Sequence, residues 1–219
     1  MSGPRPASTV LLVRDGRDGI EVVLGRRPPG GPFGNLWVFP GGAVDPEDVA
    51  AATDPETVWR LAALRETWEE IGLALTDPDG APVPSGTGSV HERLRTAGAR
   101  FATERLVYLS NWVTPRMVSK RFDTRFYLAA ADGELRSTEE LADPIWVPAE
   151  AALHQNRRGS LPMIFPTVSH LRYLVRFDRV TSLVEEAVAL DVIPSIEPRP
   201  SERGDPAELV VDNDPRFGT

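Results

Sequence analysis

Three glutamates, Glu66, Glu69 and Glu70, stand at i, i+3 and i+4 in the run LAALRETWEEIGL from Leu61 to Leu73. On a helix that spacing places all three on one face. Two kinds of chemistry fit such a face. It can be a solvated acidic surface, because like charges at these spacings cost an exposed helix only about 0.2–0.5 kcal/mol per pair. It can equally be a hard-cation site, because carboxylate oxygens suit Mg2+ or Mn2+. In a cleft, two carboxylates about 4 Å apart repel by about 4 kcal/mol at an effective dielectric near 20, and a divalent ion removes that penalty. Arg65, four residues before Glu69, is spaced to pair with it and fix its rotamer.

The elements that must carry these residues follow from local pattern. Leu61, Leu64, Trp68 and Ile71 form an apolar stripe at helical period, opposite the glutamates. Thr53 or Asp54 can cap the helix, Pro55 fits its opening position, Glu56 lies in the first turn and Gly72 marks the stop. Upstream, Leu36-Trp37-Val38-Phe39 reads as a short buried strand ending at Pro40-Gly41-Gly42, where glycines let backbone approach a metal or phosphate closely. Ser8 to Val13 and Ile20 to Leu24 read as a hairpin around Asp-Gly turn signals. Further strands are expected at Leu106–Val113, Arg125–Ala130 and Ile145–Val147. A helix is expected from Pro148 to Gln155, and two more over Val168–Leu190. Asp77 to Gly88, rich in Pro, Gly, Ser and Asp, reads as an exposed loop. Strands mixed with few long helices indicate α/β or α+β packing.

Composition bounds the partners. The 219 residues carry a net charge of −8 and include no cysteine. Disulfides, thiolate catalysis and Cys-ligated metals are therefore excluded. The acidic balance speaks against DNA as a partner, and no apolar run approaches the ~18 residues of a membrane span. Met1 to Val10 holds Pro4 and Pro6 and no apolar h-region, so the expected location is cytoplasmic.

With these residues assembled, the chain resembles the Nudix family, whose box is G-x5-E-x7-R-E-U-x-E-E-x-G-U, with U a bulky apolar residue. The second half stands as Arg65-Glu66-Thr67-Trp68-Glu69-Glu70-Ile71-Gly72-Leu73, and the first as Gly42 to Asp48 after Phe39-Pro40-Gly41. Asp48 (or Glu47 after a one-residue shift) takes the first Glu position, and Thr67 stands where a bulky apolar residue is usual. Sixteen residues, not seven, separate Asp48 from Arg65. The resemblance implies an α/β/α sandwich with a mixed sheet and a C-terminal helical extension, divided as core 7–155, extension 156–193 and an extended or partly disordered tail 194–219. It implies a Mg2+- or Mn2+-dependent hydrolase acting on a small-molecule nucleoside diphosphate derivative, with a homodimer left open. By the same resemblance Glu66 and Glu70 are metal ligands, Glu69 is a further ligand or the general base, and Arg65 orients the glutamates. Gly41 and Gly42 are expected to contact substrate, and Lys120 and Arg121 could contact its phosphates or be ordinary strand-edge charge. Trp112-Val113-Thr114-Pro115 and Lys120 to Phe126 are similar to a longer subgroup that includes peroxisomal coenzyme A diphosphohydrolases. Coenzyme A or an acyl-coenzyme A is thus one implied substrate, and ADP-ribose, NADH or a dinucleoside polyphosphate another. A non-catalytic ligand-sensing module is the alternative of a different class.

Most remaining candidates read as structural. Arg125, which alternates with Phe126 across a strand, could contact a substrate phosphate or be ordinary strand-edge charge. Glu139, Glu140 and Asp143 could supply a distant base or second metal ligand, but as a group read as a solvated turn. His91, His154 and His170 show no ligand spacing and read as structural or surface residues, and Tyr108 and Trp112 read as core packing.

Overall fold

The computed structural model describes residues 3–30, 33–201 and 209–218. The hairpin forms as β1 (Arg5–Gly16) and β2 (Gly19–Arg26), its strands running further into the turn than the aliphatic runs alone indicate. The expected strand at Leu36–Phe39 shrinks to β3 (Trp37–Val38). The chain does not leave the sheet at Pro40, because β4 (Gly41–Ala43) pairs antiparallel with β1, Thr9 opposite Gly41 and Ala7 opposite Ala43. Then come α1 (Pro46–Ala51), α2 (Pro55–Ile71), β5 (Thr76–Asp77), α3 (Val90–Thr96), β6 (Arg100–Phe101), β7 (Val107–Val113), β8 (Phe122–Ala130) and β9 (Ala142–Pro148). The chain closes with α4 (Ala149–Arg157), α5 (Phe165–Leu174), α6 (Val180–Val188), β10 (Ser195–Ile196), β11 (Arg199–Pro200) and β12 (Leu209–Val210).

The main sheet runs β10-β7-β8-β1-β2-β3, with β4 also on β1 and β9 also on β2. It is mixed: β1 and β8 are parallel from Arg5↔Phe122 to Val13↔Ala130, whereas β1–β2, β2–β9 and β7–β8 are antiparallel. Alternation along β1 splits the core into two layers. Val10 and Leu12 pack with Leu61, Leu64 and Ile71 of α2 and Leu94 of α3. Leu11 and Val13 pack with Leu153, Leu171, Tyr173 and Leu183 of α4–α6. The result is a sandwich of helices on both faces of a mixed α+β sheet. Among the described residues no helix is long and apolar enough to cross a membrane.

Two short helices, α1 and α3, escape the sequence reading. The sixteen-residue spacer holds α1, whose start is set by Asp45: its side chain and that of Asp48 form a capping box ahead of Pro46. The tail that sequence leaves extended is tied down in its described parts. β10 adds to β7 in parallel, and Val211 and Phe217 enter the core layer of α4–α6. Residues 202–208 and 219 of that tail lie outside the described residues.

Candidate metal centre and adjoining cleft

Helix α2 begins where its sequence indicates, with the Asp54 side chain accepting from the Glu56 and Thr57 amides, and ends at Gly72 with φ +72°. Its acidic face is only partly solvated, with Glu70 buried and Glu69 one-third exposed. The helix lies between the sheet on one side and α1 and α3 on the other, so both faces carry buried residues. Trp68, expected in the apolar stripe, is only half-buried, while Thr67 is fully buried and satisfies its hydroxyl on the Ala63 carbonyl at 2.8 Å. That local bond explains how a threonine occupies a position where a bulky apolar residue is usual.

Arg65 is the hub. It is 3% exposed, and each of its five N–H groups has an acceptor. Nε and Nη2 grip Asp48 side-on at 3.0 and 2.9 Å; Nη2 also donates to the Ala43 carbonyl at 3.0 Å. Nη1 donates to Glu66 at 3.0 Å and Glu69 at 2.8 Å. Burial opposes the Arg65 charge, but Asp48, Glu66 and Glu69 outweigh it and hold the guanidinium protonated more firmly than usual. Asp48 is itself fully buried. Burial raises its pKa, yet hydrogen bonds from His91, Arg65 and the Asp45 amide reverse this and leave it below the ordinary value. Asp48 thus turns away from the cleft and anchors Arg65. Arg65 is closed off from the cleft, its donors all taken by protein acceptors.

Glu70 is 2% exposed and accepts from the Gly41 amide at 2.8 Å. Gly41 has φ +153°, and a Cβ there would run into the Ser8 carbonyl and Thr9 backbone. At Gly42 a Cβ would strike the Glu66 carboxylate. Both glycines therefore let β4 lie directly against the acidic face and the neighbouring strand. Burial pushes Glu70 up to about 8, against the Gly41 amide and Arg27, with Glu66 and Glu140 adding to the rise. Burial likewise pushes Glu66 up to about 7 despite Arg65, and raises Glu69.

Ligand atoms of Glu66, Glu70 and Glu140 lie within 4.8 Å of one another. Three carboxylates at this separation, two of them unwilling to ionise together, match the donor chemistry of a hard divalent cation. Glu69 is not in this group; its carboxylate faces Arg65 and is one-third exposed. Glu140, which sequence grouped with a solvated turn, is indeed exposed, and the β8–β9 loop that carries it brings its carboxylate to Glu66 and Glu70. That loop is stitched to the end of α2: the Arg136 amide donates to the Ile71 carbonyl at 2.8 Å, and the Thr138 hydroxyl to the Glu70 carbonyl at 2.9 Å. The acidic pair Glu139-Glu140 was visible in sequence, but its distance along the chain hid the contact.

Across β4, on the side of the sheet away from α2, a cleft of about 270 Å³ is lined by Arg5, Thr9, Arg27, Phe33, Gly41, Gly42, Lys120, Phe122, Thr124, Phe126 and Ile164. Gly41, Gly42 and Lys120 line it together. Arg121 does not line it; it donates to the Thr114 carbonyl at 2.8 Å and to Glu197 at 3.2 Å. Arg125 faces α2, paired with Glu56 and stacked on Trp59 and Tyr108 at 4.3 and 5.4 Å from their ring centroids. Arg27, absent from the sequence candidates, donates to the Gly41 carbonyl at 3.2 Å and approaches Glu70 to 3.8 Å. No local signal marks it, because the contact joins the end of β2 to β4. The histidines are structural or exposed: His91 bonds Asp48 at 2.8 Å, His170 is buried between Ser110 and the Pro166 carbonyl, and His154 is exposed.

The NUDIX domain family model matches residues 3–165. Among curated proteins, putative nudix hydrolase 7 of Caenorhabditis elegans is 26% identical over 64% of this chain and 50% of its own length. Acyl-coenzyme A diphosphatase NUDT19 of Gallus gallus is 26% identical over 71% of this chain and 49% of its own. The chain thus spans about half the length of the curated relatives it matches. Among solved structures, a NUDIX hydrolase from Alicyclobacillus acidocaldarius superposes with a TM-score of 0.72 at 29% identity, over 89% of this chain and 99% of that one.

Proposed function

Since the chain belongs to the Nudix family, we propose that it hydrolyses the diphosphate linkage of a nucleoside diphosphate derivative, with Mg2+ or Mn2+ held by Glu66, Glu70 and Glu140. The observation that carries this reading is the convergence of those three carboxylates on the Gly41–Gly42 strand, beside a cleft with basic and aromatic walls. When bound, the cation supplies positive charge to the diphosphate oxygens and to the water that attacks. The chain's own residues do the rest. Gly41 and Gly42 bring backbone against the carboxylates, and Arg27 braces the Gly41 carbonyl at the edge of the cleft. Asp48 holds Arg65, and Arg65 fixes the rotamers of Glu66 and Glu69. Glu69, with raised proton affinity and an open edge, takes the proton from water as its oxygen bonds to phosphorus and the bridging P–O bond breaks.

Within this class, coenzyme A or an acyl-coenzyme A is the favoured substrate. The similarity of residues 112–128 to the longer subgroup supports it, as does the relative from Gallus gallus. ADP-ribose, NADH and dinucleoside polyphosphates are the competing substrates. The intact carboxylate set favours turnover over a ligand-sensing role. Purified protein is incubated with Mg2+ or Mn2+ and each of these compounds in turn. At least one is cleaved to two phosphorylated products, and Glu70→Gln abolishes the cleavage. No cleavage of any compound, with tight binding of one, would establish the sensing module instead. A higher kcat/KM for ADP-ribose than for coenzyme A would overturn the coenzyme A assignment alone.

A further inference from the structure

The basic groups of the cleft are unevenly committed. Arg27 is engaged by the Gly41 carbonyl and Glu70, and Arg5 pairs with Asp45 at 3.3 Å. Lys120 is the only lysine in the chain. Its ammonium lies 5.6 Å from the centroid of the Phe122 ring, and among the described residues it has no ion-pair partner. In a chain of net charge −8, a cation left unpaired at the wall of a cleft offers a seat for an anion.

Strand register locates that seat. Gly41, where β4 meets the carboxylates, is opposite Thr9, and Thr9 is opposite Phe126. At the other end Arg5 is opposite Phe122, two residues from Lys120. Four strand positions separate the two ends, roughly 13 Å at the rise of a strand. Phe126 and Phe122 flank the two ends, and Ala7 and Thr124 line the space between. One end of the cleft therefore adjoins the candidate metal centre, and the far end carries a free point charge.

We infer that Lys120 binds a phosphomonoester carried by the substrate away from the hydrolysed diphosphate, so that the preferred substrate is a nucleoside diphosphate derivative bearing an additional phosphate. The inference rests on the diphosphate-hydrolase reading. A lysine ammonium meets a phosphate as a compact charge without the fixed fork of arginine, and a phosphomonoester near neutral pH carries close to two negative charges.

The test has two arms on the full chain with Mg2+. Calorimetry compares adenosine 3′,5′-bisphosphate with adenosine 5′-monophosphate, for wild type, Lys120→Met and Lys120→Arg. Kinetics compares coenzyme A with its 3′-dephospho form, and NADPH with NADH. Wild type binds the bisphosphate at least tenfold more tightly and favours the phosphorylated substrates at least tenfold in kcat/KM, mainly through KM. Lys120→Met erases both preferences and Lys120→Arg keeps most of them. Because Lys120 is the only lysine, acetylation of wild type reproduces Lys120→Met, whereas reductive dimethylation, which keeps the charge, does not. Equal binding in wild type, failure of both nucleotides to bind, or a preference that survives Lys120→Met would overturn the inference. A binding preference without any hydrolysis upholds the phosphate seat at Lys120 and removes the hydrolase reading; hydrolysis without preference removes the inference alone.

Discussion

At the scale of single residues, the protein holds carboxylates where they resist ionising. Glu66 is raised to about 7 and Glu70 to about 8 from an ordinary 4.5, chiefly by burial. The folded chain then binds more protons than the unfolded chain between pH 4.5 and those values. Without metal, the contribution of these two groups to stability is complete below about pH 4.5 and is lost as pH rises through 7 and 8. Glu70→Gln keeps an acceptor for the Gly41 amide without the charge. It is expected to stabilise the metal-free protein at pH 8.5 by a few kcal/mol, leave it unchanged at pH 4.5 and abolish turnover, which thermal melts at both pH values and a substrate assay measure. Arg65 obeys the opposite logic, since all five of its donors are used. Arg65→Lys retains charge but cannot grip Asp48 side-on while reaching two glutamates. It is expected to lower kcat about a hundredfold or more through misplaced carboxylates and to cost about 3 kcal/mol from a broken buried network, read by kinetics and urea unfolding. The Glu66, Glu69 and Glu70 pattern was legible because one helix carries it. Glu140, Arg27 and the buried role of Asp48 were not, because each acts through a contact between distant segments.

At the scale of elements, the helix that bears the chemistry and the hairpin under it are plain in the sequence: caps and periodicity are local. What periodicity could not show is that α2 is covered on both faces, which turns an apparently solvated acidic stripe into a half-buried one. Nor could it show β4, three residues long and rich in glycine, whose existence depends on pairing with Thr9 to Ala7. The long spacer finds its reason here too: α1 lifts Asp48 beneath Arg65. Gly41 tests the element. A methyl group there meets backbone of β1 rather than a side chain that can swing aside. Gly41→Ala is expected to cost about 1–3 kcal/mol in strain and, by displacing the amide from Glu70, to weaken Mn2+ binding. A variant that unfolds at the wild-type urea midpoint would show that β4 does not press on β1 as closely as described.

At the scale of the whole molecule, the two core layers perform separate tasks. The layer under α2 carries the candidate metal centre, while the layer under α4–α6 is closed by the end of the chain. His170 lies fully buried in that second layer, stacked on Phe126 at 4.3 Å between ring centroids. Burial is the main cause that drives its pKa down to about 3, below the ordinary 6.5. The unfolded chain therefore binds the extra proton between those values, and stability present above pH 6.5 is lost as pH falls toward 3, with a slope approaching about 1.4 kcal/mol per unit. Unfolding free energies of wild type should show this slope relative to His170→Asn, which has no proton to gain.

Phe217 packs on the same layer from the far end of the chain, with its ring 4.8 Å from His170, 5.4 Å from Trp112 and 5.6 Å from Tyr173 between centroids. Arg216 holds the approach, donating to the Leu109 carbonyl at 2.7 Å and pairing with Asp214 at 2.6 Å. Local sequence could not reveal this: a lone aromatic in a Pro- and charge-rich tail has no period to declare a buried face. Removing the ring empties a site walled by three aromatic side chains that are fixed by other bonds and cannot collapse onto it. Phe217→Ala should therefore cost about 3–5 kcal/mol, or roughly 6–20 °C in melting temperature for a chain of this size. Because the candidate metal centre lies across the sheet, Mn2+ affinity should stay at the wild-type value at temperatures where the variant is folded. Calorimetric melting and Mn2+ titration on the same preparation decide it. A melting temperature within 2 °C of wild type would mean that the tail does not seat Phe217 in the core.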